Sequence, residues 1–136
     1  MSRVLLPGLL FLACAGCQLP PEQVPLKPLP ENGPPESYAD LIGRARVQAT
    51  SANEAFYINK WSDLEEAAKG LAQTAQYLSK ATQVPARHKD ILPVEAGDLG
   101  KQAEQLREAA KSQDVKLTTD ILQRVNLKVR ELRPED

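Results

Sequence analysis

The chain has 136 residues, 17 basic and 18 acidic, with a formal net charge of −1, 42% apolar residues and only 4% aromatics. That length accommodates one small domain, and interleaved charges without an aromatic platform argue against a nucleic-acid partner. Both cysteines, Cys14 and Cys17, lie near the N-terminus, so residues 18–136 carry no disulfide, no thiolate metal site and no thiol nucleophile.

The N-terminal segment has the order of an export signal. Arg3 supplies a positive start, and Val4 to Ala13 form an apolar stretch too short to span a bilayer as a helix. Pro7 and Gly8 interrupt that stretch, which suits a cleaved signal better than a permanent anchor. Ala15 and Gly16, both small, precede Cys17. Phe11-Leu12-Ala13-Cys14-Ala15-Gly16-Cys17 resembles the end of the signal peptide and lipobox of a bacterial lipoprotein precursor, with Cys14 where Leu is usual. The resemblance implies a signal peptide over residues 1–16 and Cys17 as the first mature residue, bearing a diacylglyceryl thioether and an N-acyl chain such as palmitate. Each buried methylene contributes about 0.8 kcal/mol, so two or three chains anchor where one does not. Gln18, a non-Asp residue after the Cys, implies sorting to the outer membrane, facing the periplasm. An ordinary cleaved signal with an unmodified Cys17 is the alternative.

Residues 17–35 form a lipidated Cys and a Pro-rich linker. Seven of the chain's eleven prolines fall here, at Pro20, Pro21, Pro25, Pro28, Pro30, Pro34 and Pro35. Proline lacks a backbone donor and biases its predecessor to extended geometry. The expectation is a disordered, semi-rigid polyproline II spacer, roughly 55 Å long at about 3.1 Å per residue. A PxxP ligand for an SH3-type partner is the competing reading of the same prolines.

Residues 36–136 read as an all-α domain with four helices. The first runs from behind Pro35 to about Asn59, with Tyr38, Leu41, Ala45, Ala49, Ala52 and Phe56 on its apolar stripe. The second opens on Ser62-Asp63-Leu64-Glu65, a capping-box pattern, and continues through Leu64, Ala68, Leu71, Ala75 and Leu78 in steps of four and three. Residues 82–90, with Pro85, form a connector. The third spans Ile91 to Lys111, with Leu92, Ala96, Leu99, Ala103, Leu106 and Ala110 on its seam. The fourth follows an Asp114 cap and ends before Pro134, burying Thr118, Ile121, Leu122, Val125, Val129 and Leu132. Helices near twenty residues with short connectors fit an antiparallel up-down-up-down four-helix bundle; a helical-hairpin pair that dimerises is the competitor. Gly97 and Gly100 inside the third helix imply close packing or a kink beside a pocket.

Candidate chemistry is sparse. His88, the one histidine, lies between charged neighbours Arg87 and Lys89 and is expected as a solvated loop residue, a cofactor ligand being the alternative reading. Glu95 and Asp98 share a helix face at i, i+3 and could hold a cation, though a solvated acidic face is the simpler reading. Asp63, Glu65 and Glu66 complement the dipole at a helix N-terminus, and Arg124, Lys128, Arg130 and Arg133 do so at a C-terminus. No phosphate-binding glycine loop, Glu-x-x-His pair or Ser-His-Asp order is present.

An Ala-rich four-helix bundle in an exported chain resembles the cytochrome c-prime and cytochrome b562 group. Aligned on Arg130, Leu122 and Val125 stand where the c-prime family has its two haem-attaching cysteines, and Asn126 stands where it has the ligand histidine. The resemblance therefore implies the scaffold without covalent haem. The expected function is that of a non-enzymatic, lipid-anchored envelope protein without a cofactor, its bundle binding another protein or acting structurally. The alternative is a periplasmic bundle holding haem or another small ligand non-covalently.

Overall fold

The computed structural model describes residues 26–134. These residues hold five α-helices and no strand: α1 (Tyr38–Tyr57), α2 (Trp61–Leu78), α3 (Ala86–Lys89), α4 (Leu92–Ser112) and α5 (Val115–Glu131). The signal segment and Cys17 lie outside the described residues.

The helix starts and stops follow local chemistry. Ser37, in extended geometry, caps α1 by accepting the Asp40 amide at 3.2 Å, and its hydroxyl donates to the Asp40 carboxylate at 2.6 Å. Asn59 takes a left-handed φ of 58°, which closes α1 with Lys60 N–H donating to the Ala55 carbonyl at 2.8 Å. Gln113, at φ 54°, ends α4 in the same way, and Asp114 then caps α5 by accepting the Leu117 amide at 2.9 Å. Pro93 sits in the first turn of α4, where its missing N–H costs nothing.

The start of α2 departs from the expected capping box. The helix begins at Trp61, with Lys60 at the cap position and no side-chain cap, so Ser62 already lies inside the first turn and Glu65 beyond it. The Asn59 turn delivers the chain into helical geometry early. Trp61 then packs edge-on against Phe56, with ring centroids 5.7 Å apart, and this contact fixes the α1–α2 corner. Phe56 is consequently half-buried at the corner, and Ala55 takes the core position beside it. The connector also departs from expectation, because Pro85 starts the short α3.

Four long helices each pack on two others, in the order α1–α2–α4–α5 and back to α1. The α2–α4 interface is the most extensive. Its seams alternate large with small residues: Leu64, Ala68, Leu71 and Ala75 on one side, Leu99, Ala103 and Leu106 on the other, all buried. A Cβ on Gly100 would meet Ala75 Cβ at 3.6 Å, an ordinary contact between closely approaching helices, whereas a Cβ on Gly97 would meet nothing within 4 Å. A side chain fits at both positions, so close packing demands neither glycine. The α5 seam from Thr118 to Leu132 is buried as its spacing implies.

The chain ahead of α1 does not leave the domain as a free spacer. Thr82 N–H donates to the Glu36 carbonyl at 2.9 Å and Tyr38 N–H to the Thr82 carbonyl at 2.8 Å, which pins the α1 entrance to the α2–α3 connection. Residues 26–33 then lie back along α2, and Leu29 is buried with 7% of its surface exposed.

Candidate functional site

The strap formed by residues 26–33 rests on the α1–α2 face through side chains that engage its main chain. Gln73 accepts the Leu29 amide at 3.0 Å and donates its own amide to the Leu29 carbonyl at 2.5 Å. One turn further along α2, the Tyr77 hydroxyl accepts the Gly33 amide at 3.0 Å and donates to the Pro30 carbonyl. Spacing i, i+4 puts both residues on one face of α2, one above the other. Across the groove, the Arg44 guanidinium of α1 donates to the Lys27 carbonyl. Pro30 to Gly33 make a turn, and a Cβ on Gly33 would stand 2.5 Å from both Tyr77 Oη and Pro30 Cγ. Only glycine lets the backbone approach the hydroxyl this closely. The strap leaves an open cleft of about 880 Å³ beside it, lined among others by Arg44, Val47, Ser51, Glu66 and Gly70.

The second polar cluster lies where α1 begins and α5 ends. His88 is not the solvated loop residue its neighbours suggest; it is buried, with its ring stacked on Tyr38 at 5.5 Å and 25°. Pro85 and the single turn of α3 fold the chain inward here and carry the imidazole under the ring. His88 Nε2 lies 3.0 Å from both Arg87 Nε and the Arg133 carbonyl, and Arg87 Nη2 donates to that carbonyl at 2.7 Å. Accepting from Arg87 and donating to the carbonyl require opposite tautomers of the ring, and Nδ1 is buried without a partner. Tyr38 is fully buried and donates its hydroxyl to the Leu132 carbonyl at 2.5 Å. Burial pushes that hydroxyl up to about 12, against the opposing pull of the Arg87 charge.

Glu95 and Asp98 do share a face of α4, but a cation of the protein itself occupies it. Lys128 Nζ of α5 lies 2.5 Å from Glu95 Oε2 and 3.7 Å from Glu131 Oε2. The hydrogen bond to Glu95 holds the ammonium above the usual lysine range against its partial burial, and the Glu95, Glu131 and Asp98 charges add to the upward pull. Among the described residues no group of three His, Cys, Asp or Glu side chains could hold a metal ion.

The positions aligned with the haem motif separate. Leu122 and Val125 are core residues, whereas Asn126 is exposed and exchanges amide hydrogen bonds with Asn53 of α1 at 2.9 and 3.0 Å. A ligand side chain at 126 would therefore stand on the surface seam between α1 and α5.

Sequence reasoning did not find Gln73, Tyr77 or Arg44. Tyr77 carried a signal, as an aromatic one place off the Leu71–Ala75–Leu78 seam in a helix otherwise polar there; Gln73 and Arg44 look like ordinary surface residues. No helix among the described residues is long and apolar enough to cross a membrane. Comparison with known protein families, with curated proteins and with solved structures gives no match for this chain.

Proposed function

We propose that this chain is a lipid-anchored cell-envelope protein, held through Cys17 in the outer membrane and facing the periplasm. Its helical domain would serve a non-enzymatic binding or structural role. One observation carries the reading: the order along the chain of a positive start, a broken apolar stretch, two small residues, Cys17, a Pro-rich segment and then a single helical domain. An antiparallel up-down-up-down arrangement of the four long helices belongs to the same proposal. It is supported by α2–α4 pairs that run in opposite senses, with Glu65 beside Arg107 at one level and Ala75 beside Gly100 at another.

The docked strap alters the expected reach of the tether. Residues 26–33 no longer count toward the spacer, because Gln73, Tyr77 and Arg44 hold them on the domain. Removing residues 1–16 takes away Arg3 alone among the charged residues, leaving 16 basic and 18 acidic side chains. A slight negative charge suits a partner protein better than an anionic lipid surface.

The test is metabolic labelling with palmitate. Label should appear in the wild-type chain and vanish in Cys17→Ser, with the unprocessed precursor accumulating. Persistence of label in Cys17→Ser would remove the anchor.

A further inference from the structure

The groups that hold the strap recognise a peptide main chain more than a set of side chains. Gln73 meets both the N–H and the C=O of Leu29; Tyr77 meets the Gly33 N–H and the Pro30 C=O; Arg44 meets the Lys27 C=O. The strap makes one backbone hydrogen bond of its own, Gly33 N–H to the Pro30 carbonyl at 3.4 Å, and its other carbonyls stand free for such partners. Side-chain demands are few. Leu29 fills the one apolar contact site, and position 33 must be glycine because a Cβ there would collide with Tyr77 Oη. Packing by apolar contact alone would need neither the paired carboxamide of Gln73 nor the two-way hydroxyl of Tyr77. This combination matches the way grooves lined by aromatic and amide side chains bind proline-rich ligands.

The groove is also larger than its occupant. The cleft of about 880 Å³ continues past Leu26 and Pro28 along Val47 and Ser51 of α1 and Glu66 and Ala67 of α2. Leu26, at the strap's outer end, remains 39% exposed, and Val47 beside it 40%.

We propose that the α1–α2 groove is a binding site for an extended, proline-containing peptide of a partner protein, with a Leu-Pro-x-x-Gly pattern. Residues 27–33 are its internal ligand and keep the site closed. A partner's peptide enters when the strap lifts. The tether holds the internal ligand at an effective concentration on the order of millimolar, so a free peptide competes poorly until that ligand is weakened. This deepens the binding role proposed above by naming the class of partner, and it rests on that role but not on the lipid anchor.

The test uses the purified full chain and a labelled synthetic peptide, Leu-Lys-Pro-Leu-Pro-Glu-Asn-Gly-Pro-Pro, the sequence of residues 26–35. Fluorescence anisotropy should show Leu29→Glu binding this peptide at least about tenfold more tightly than the wild type does, because the internal competitor is weakened. Adding Gln73→Leu to Leu29→Glu should abolish that binding, and a scrambled peptide should not bind. Equal binding by wild type and Leu29→Glu, or equal binding of the scrambled peptide, would overturn the proposal. If Leu29→Glu loses its helical circular dichroism, Gly33→Val serves as the strap-weakening variant. Amide exchange in the otherwise native chain gives an independent reading: Leu29 and Gly33 should be protected, and Gln73→Leu should speed Leu29 exchange at least about tenfold. A strap-exchanged dimer of the wild type would assign the groove to a second copy and overturn the foreign-peptide reading. Palmitate labelling is indifferent to every one of these outcomes.

Discussion

The two ends of the folded domain are fastened by different physics. Near the C-terminus, the Leu132 and Arg133 carbonyls are held by Tyr38 and Arg87, with the Tyr38 and His88 rings buried and stacked. At the N-terminal end, the strap is held by Gln73, Tyr77 and Arg44 at a groove that remains open along one side. Polar groups in a closed site cannot trade their partners for water without unfolding their surroundings, so they share the stability of the whole domain. Polar groups at an open groove trade partners at a net difference of about 0.5–1.5 kcal/mol each. One fastening is therefore structural and the other exchangeable.

The largest effect that tests this contrast comes from removing one hydroxyl at each end. Tyr38→Phe strands the buried Leu132 carbonyl and should lower the global unfolding free energy by about 1–3 kcal/mol. Tyr77→Phe should leave the global urea midpoint nearly unchanged and speed exchange of the Gly33 amide, because the strap opens in a separate local step. Equal losses of global stability in the two variants would show that strap and bundle unfold as one unit, and the distinction between the ends would fail.

A second, smaller effect is the response to alkali. The Tyr38 hydroxyl is raised from 10.0 to about 12 by burial, so the folded state favours its neutral form. Its contribution is whole below pH 10 and is lost as pH climbs toward 12, since the unfolded chain ionises first. Lys128, raised above 10.5 chiefly by its hydrogen bond to Glu95, loses its contribution on the same side. Wild type should thus lose stability steadily above about pH 10, and Tyr38→Phe less steeply, so that their urea midpoints converge. The Lys128 share would remain in Tyr38→Phe and shrink in Glu95→Gln, where the Glu131 and Asp98 charges stay in place. A gap between wild type and Tyr38→Phe that stays constant from about pH 9 to about pH 11.5 would show that the hydroxyl is not held neutral by the fold.

The same contrast explains what the amino-acid sequence made legible. Helix seams declare themselves because burial repeats at a fixed spacing: every seam residue expected in α2, α4 and α5 is in the core. The cap at Asp114 was legible because one short polar side chain suffices. His88 was misread because its sequence neighbours are charged, while its surroundings in space are Tyr38 and a chain end 45 residues away. The spacing of Glu95 and Asp98 likewise does not name Lys128, which comes from α5 to pair with Glu95. The strap was hidden further still. Proline content rightly excludes helix, but it says nothing of whether an extended chain lies free or lies on something. That outcome depended on Gln73 and Tyr77, 44 residues from the amides they hold.

The smallest expected effect separates the two regions through a single residue type. Gly97 occupies the exposed interior of α4, and no atom lies within 4 Å of where its Cβ would stand. Nothing there uses its conformational freedom, so Gly97→Ala should raise stability by about 0.5–1 kcal/mol, through helix propensity and a less flexible unfolded chain. Gly33 stands at the opposite limit, because a Cβ would meet Tyr77 Oη and Pro30 Cγ at 2.5 Å. Gly33→Ala should push the strap off Tyr77, exposing the Leu29 amide to exchange while the urea midpoint of the bundle holds. One methyl group then strengthens the helix that carries global stability and releases the segment that does not. If Gly33→Ala lowered the midpoint by as much as Tyr38→Phe does, the strap would belong to the structural core, and an exchangeable internal ligand would have no basis.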